Sequence, residues 1–209
     1  MDWANEQVRE RIAEAISKAE ERTSGEIVAV VAPSSDDYAL IPIMWASLAA
    51  LTVPAILFLL TDLSAWTIYA IQLTVFLILA MALGREPLRY RVVPRAIAHR
   101  RAHRHAVDQF LSQNLHTTKG RTGVLIFVSI AEHYAEIIAD DGIYQKVDPS
   151  HWDEALKVML GHIKRGEIEQ GFLAAIEASA DVLAEHFPVS ANDEDELPNH
   201  LIVLKGDEL

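Results

Sequence analysis

The sequence predicts an α/β domain, a central sheet flanked by helices on both faces, interrupted by a two-helix transmembrane hairpin. Three observations predict it. Two uncharged apolar runs, 40–60 and 66–83, stand one after the other in the first half of the chain. Short apolar, β-branched runs, IVAVVA, GVLIFVS and AEIIAD, lie on either side of that pair. Segments with apolar residues at helical spacing surround those runs, and helical and strand patterns in alternation read as α/β.

The composition agrees. At 209 residues the length suits one domain with an insertion. Apolar residues reach 51% and mean hydropathy is +0.14, yet 23% of the chain is charged, so the hydrophobicity must be concentrated locally. The absence of cysteine excludes disulfides, thiolate zinc sites, iron–sulfur ligation and cysteine nucleophiles. A net charge of −12 argues against a nucleic-acid partner, because phosphate contacts need a basic face.

The elements follow in order. Val8, Ile12, Ala15, Ile16 and Ala19 recur at helical spacing, and the helix stops around TSG, with Gly25 expected to supply the turn. IVAVVA lacks alternation, which predicts a strand covered on both faces. Residues 40–60 would span about 31 Å as a helix, close to the roughly 30 Å bilayer core, and 66–83 about 27 Å. The polar link TDLSA joins them into a hairpin with Trp66 and Tyr69 near one end as interfacial anchors. Pro42 and Pro54 are tolerated in such a helix, and Gln72 is expected to face the partner helix.

Arg85, Arg89, Arg91, Arg95, Arg100, Arg101 and Arg104 crowd the exit of the second run, whereas the link holds Asp62 and no Lys or Arg. The positive-inside rule then places both termini in the cytoplasm. The first residues form a charged amphipathic pattern, so no signal peptide is expected, and the closing KGDEL is not the ER-retention tetrapeptide.

Pro94 is expected to start a helix with Ala102, Ala106, Val107, Phe110 and Leu111 on its apolar face. GVLIFVS and AEIIAD, separated by IAEHY, predict adjacent strands, and DDG turns the chain. Ser150 with Asp153 resembles a capping box opening a helix whose core face is Trp152, Leu156, Met159 and Ile163. Gly166 separates it from a last helix carrying Ile168, Phe172, Ile176 and Leu183, ended by Phe187 and Pro188. The acidic tail is expected to be mobile, apart from LIVL, which could add an edge strand or dock on the core. The organisation is therefore 1–38 and 85–188 as two parts of one α/β domain, with a basic juxtamembrane segment 85–105, an inserted hairpin 39–84, and a tail 189–209.

The stretches RIAEAISKAEERTSGEIVAVVAPSSDDY, RTGVLIFVSIAEHYAEIIADDGIYQKV and DELPN strongly resemble the TPM-domain family, the thylakoid-phosphatase-like α/β domains, in a bacterial membrane-anchored branch. The resemblance covers nearly the whole chain, and TSGEI and AEIIADDGI are its most specific parts. It implies a sheet with helices on both faces and a place in a bacterial inner membrane. For function it implies phosphatase activity, calcium binding, or assembly and repair of membrane complexes; fold does not choose among these.

Asp36 and Asp37 follow the first strand and Asp140 and Asp141 the third, so if those strands are parallel neighbours the four carboxylates gather at one sheet edge. Such a cluster would suit Ca²⁺ or Mg²⁺; otherwise SSDDY and ADDG are simply turns. The resemblance implies that Glu26 is a fixed acid of the TPM pattern; it could position a ligand, and is expected rather to cap a helix or form an ion pair, with solvent or backbone as its usual partner. His99 and His103 share a helical face, as a two-histidine zinc half-site needs, but no acid lies nearby in sequence. The seven arginines better suit anionic lipid headgroups, at about 1 kcal/mol each. No G-x-S-x-G, P-loop, G-x-G-x-x-G or H-E-x-x-H is present, so no catalytic residue is assigned. The leading expectation is an accessory, assembly or scaffold factor docked on a membrane protein partner; the alternative is a metal-dependent phosphomonoesterase using the four aspartates.

Overall fold

A computed structural model describes residues 5–86, 88–189 and 196–204. They form two compact units, one of residues 1–35 and 99–209, the other of residues 36–98.

The first unit is built on a four-stranded mixed sheet, β1 (Glu26–Ala32), β2 (Gly123–Ser129), β3 (Tyr134–Ala139) and β4 (Leu201–Val203), in the order β3-β2-β1-β4. β1 runs parallel to β2 and to β4, whereas β3 is antiparallel to β2. Every residue of β1 and β2 is buried, as an unalternating apolar strand demands; β3, at the edge, buries alternate residues. The segment LIVL of the tail supplies β4, and the Leu204 N–H donates to the Val31 carbonyl at 2.9 Å. Residues 190–195 and 205–209, on which the expectation of a mobile acidic tail falls, lie outside the described residues.

One face of the sheet is covered by α1 (Glu6–Glu20), α7 (Ser150–Lys164) and α8 (Ile168–His186), through Ile12, Ile16, Met159, Phe172 and Ile176. The other is covered by Ala106 and Phe110 of α5 (Arg95–Ser112) and by Leu115 in the turn after it. Ala102 also lies on the buried face of α5, while Leu111 is exposed, one residue beyond Phe110 and off that face.

Two local expectations differ from the structure. Gly25 does not adopt the left-handed turn conformation; it packs closely on α8, where a Cβ would stand 2.9 Å from the end of the Leu183 side chain. Positive φ falls instead on Gly166, between α7 and α8. Ser150 does not cap α7: Asp148 accepts the Ser150 N–H at 2.9 Å, and this bond holds its carboxyl below the usual range.

The second unit holds α2 (Leu40–Leu60) and α3 (Ala65–Leu83), with the short α4 (Leu88–Arg91). Both long helices are apolar enough to cross a membrane, and only 11% and 6% of their most apolar stretches is buried, so neither is a soluble core helix. Ser64 caps α3 by accepting the Thr67 N–H at 3.3 Å. Ala46 and Ala50, one turn apart, are buried on α2, the small-residue spacing that lets backbones approach. At the base, the Tyr38 and Tyr90 rings meet edge to face at 6.0 Å over Ile41, Val93 and Ala98. The Trp45 indole donates to the Val92 carbonyl at 3.0 Å.

Candidate functional site at the sheet edge

β1 and β2 begin at the edge where antiparallel β3 ends, and there the chain folds four distant segments together. Thr23 Oγ1 and Ser24 Oγ donate to the carbonyls of Phe187 and Pro188 at 2.7 and 3.0 Å, tying the turn before β1 to the end of α8. Thr122 Oγ1 donates to the Ser24 carbonyl at 3.0 Å, and the Glu26 N–H to the Thr122 carbonyl at 3.2 Å. Buried Glu26 accepts the backbone N–H of Glu196 at 3.1 Å, and the Glu196 carboxylate accepts the Lys119 N–H at 3.3 Å. Glu26 thus takes a backbone N–H from the tail as one of its partners.

The acid cluster beside it is organised by a cation that spacing did not single out. Arg121, in the left-handed region at φ 53°, pairs with Asp140: Nη2 donates to Oδ1 at 2.8 Å, and Nε stands 2.7 Å from Oδ2 as an ion-pair contact, Oδ2 itself accepting no hydrogen bond among the described residues. The same Nη2 donates to Asp141 at 3.2 Å. Asp140 is 4% exposed; it also accepts the Asp141 N–H and opens the short helix α6 (Asp141–Tyr144). Gly142 is indispensable, since a Cβ would stand 2.5 Å from the Gly120 carbonyl and 2.6 Å from that of Arg121. TSGEI, RTGV, ADDG and ELPN therefore converge on one edge.

The expectation for the four aspartates depended on β1 and β3 being parallel neighbours, and they are not. Asp140 and Asp141 therefore lie where β1 begins, while the chain leaves for Asp36 and Asp37 from the opposite end of β1. Asp36 and Asp37 serve as turn acceptors, taking the N–H groups of Tyr38 and Ala39 at 2.8 and 3.1 Å. Among the described residues no group of three or more His, Asp or Glu side chains is arranged to hold a metal ion.

That opposite edge, at the carboxyl ends of the parallel pair, carries a buried polar network. Ser35 donates to Ser129 Oγ at 2.7 Å, Ser129 donates to Glu132, and Glu132 accepts the Ser35 N–H at 2.9 Å. His105 stacks edge to face on Phe127 at 5.6 Å. Burial pushes its pKa below the ordinary value, against weaker pulls from Asp108 and Glu132.

His99 and His103 do lie on one exposed side of α5, and the missing acid comes from β3. His103 Nδ1 is 2.9 Å from both oxygens of Glu136, Tyr134 donates to Glu136 at 2.8 Å, and His99 packs on the Tyr134 ring at 5.3 Å. Burial and that acceptor together raise the Tyr134 pKa. Of the basic group, Arg85, Arg91, Arg95, Arg100, Arg101 and Arg104 are exposed, while Arg89 is half-buried against Glu86 and Tyr90.

Residues 90–182 match the family model described as the TPM domain. The NMR structure of the BA42 protein from the psychrophilic bacterium Bizionia argentinensis superimposes over 96% of this chain and 94% of its own. Its TM-score is 0.60 at 22% identity, which is a shared fold. No curated protein matches the chain.

Proposed function

We propose that the apolar hairpin holds a TPM-like domain, of which residues 90–182 match the family model, at a bacterial inner membrane, where it serves as an accessory or assembly factor, a scaffold for a membrane protein complex. The observation that carries this reading is the surface of the hairpin. Leu48, Leu51, Phe58, Leu73, Leu77 and Ile78 are exposed around both helices, a surface suited to lipid and costly in water. Hydroxyls on these helices turn back onto their own carbonyls, Ser47 to Ile43 at 2.8 Å and Thr74 to Ala70 at 2.8 Å, as hydrocarbon surroundings require. The exposed arginines from Arg85 to Arg104 add a basic band for anionic headgroups and orient both termini to the cytoplasm.

Extraction in mild detergent tests the scaffold role. The full chain is expected to co-purify with a membrane protein complex, and to lose it when the hairpin is exchanged for an unrelated one. Recovery of the protein alone would count against the proposal.

The rival, a metal-dependent phosphomonoesterase, requires Ca²⁺ or Mg²⁺ to displace Arg121 from Asp140 and Asp141. An ion that binds only the folded state raises the melting midpoint. A rise at millimolar ion that disappears in the Asp140→Asn, Asp141→Asn double variant would favour the enzyme; an unchanged midpoint leaves the scaffold ahead.

A further inference from the structure

Gln72 is the one carboxamide within α3, seven residues past its start and so about 10 Å along the helix. Unlike the hydroxyls of Ser47 and Thr74, its side chain has no hydrogen-bond partner among the described residues. It is half-buried and faces the groove between α2 and α3, where two hollows meet at Tyr69 and Gln72. One hollow runs toward Pro54 and Phe58, the other toward Ser47 and Ala50, so the groove follows the hairpin with a single strongly polar group midway. In hydrocarbon an amide without a partner is costly, and a lipid chain filling the groove supplies neither donor nor acceptor.

We propose that the occupant of this groove is the hairpin of a second copy of this chain, with the two Gln72 carboxamides exchanging a reciprocal pair of hydrogen bonds. A carboxamide is both donor and acceptor, so it is complementary to itself. A two-fold axis along the membrane normal sets equivalent residues at equal depth, which brings the two amides together without displacing either hairpin. The apolar groove walls then pack against each other on both sides of that contact. The inference goes beyond the scaffold role and rests on one part of it, the hairpin crossing a membrane.

The chain has no native cysteine, so single cysteines at Tyr69, Leu73 and Phe76 report the contact directly. In native membranes, oxidation is expected to give a disulfide-linked dimer from at least one of these positions. Adding Gln72→Leu should weaken dimer formation about tenfold, and Gln72→Asn should restore most of it. Gln72→Leu removes a polar group from an apolar helix, so insertion is retained, and resistance to carbonate extraction verifies it. An inserted protein that stays monomeric, that dimerises equally well as Gln72→Leu, or that links only to a different membrane protein overturns the pairing. Release by carbonate overturns the membrane anchor and the pairing together.

Discussion

At the residue scale the sheet edge depends on Arg121 and Asp140. Asp140 is buried and its charge is met by an arginine whose side chain is itself 47% exposed, so truncating the arginine leaves a carboxylate in the interior with its cation gone. Arg121→Ala is expected to destabilise the α/β unit by about 2–3 kcal/mol, the low end for breaking a buried pair because half of the arginine is solvated. Denaturant unfolding of the solubilised protein measures it. The Arg121→Ala, Asp140→Asn double variant should lose less than the sum of the two singles, since the stranded charge is then absent. His105 gives a pH signature. Its folded pKa lies below the ordinary 6.5, so as pH falls through 6.5 the unfolded chain takes up a proton before the folded one does. Stability is therefore complete above 6.5 and declines as pH falls toward the folded value. The melting midpoint of His105→Gln should show a weaker fall over that window than the parent; an identical profile would assign the acid sensitivity to other histidines.

At the element scale the link between α2 and α3 decides orientation. If both termini are cytoplasmic, a cysteine placed at Leu63 is labelled by an impermeant thiol reagent from outside the cell, and labelling only after lysis reverses the topology. The hairpin and the strands were legible because their signals are local: uncharged runs of membrane length, and β-branched runs too apolar to have a wet face. The 40–60 span coincides with α2, and α3 starts one residue before the 66–83 span. The order of the strands was not legible in that way. A run such as AEIIAD carries no mark of its direction, and its antiparallel pairing with β2 is what sends Asp140 to the far edge from the residues after β1. Arg121 was missed for a related reason. Its left-handed backbone leaves no compositional trace in a non-glycine residue, and its acids lie about twenty positions away. The resemblance was the better guide, because the segments that carry it, TSGEI, ADDG and ELPN, are those the fold gathers.

At the scale of the whole molecule, the hairpin interrupts the chain between β1 and α5 without contributing to the core on either face of the sheet. Every side chain of those two clusters comes from residues 1–35 and 99–209, and the small cluster under the hairpin comes entirely from residues 36–98. Insertion at such a point is tolerated when each part buries its own apolar surface. The consequence is testable by excision. Replacing residues 36–98 with about 15 Gly/Ser residues, whose root-mean-square reach is roughly 20 Å, should yield a detergent-free protein. That protein should melt cooperatively and keep protected amides in β1 and β2. The hydrophobic surface that calls for lipid would be gone, whereas Met159, Phe172 and Ile176 would still close one face and Phe110 and Leu115 the other. An aggregated product, or a compact one without protected strand amides, would mean that the hairpin helices supply packing the α/β unit cannot do without. In that case membrane insertion would be a condition of folding, and the scaffold would exist only where it is anchored.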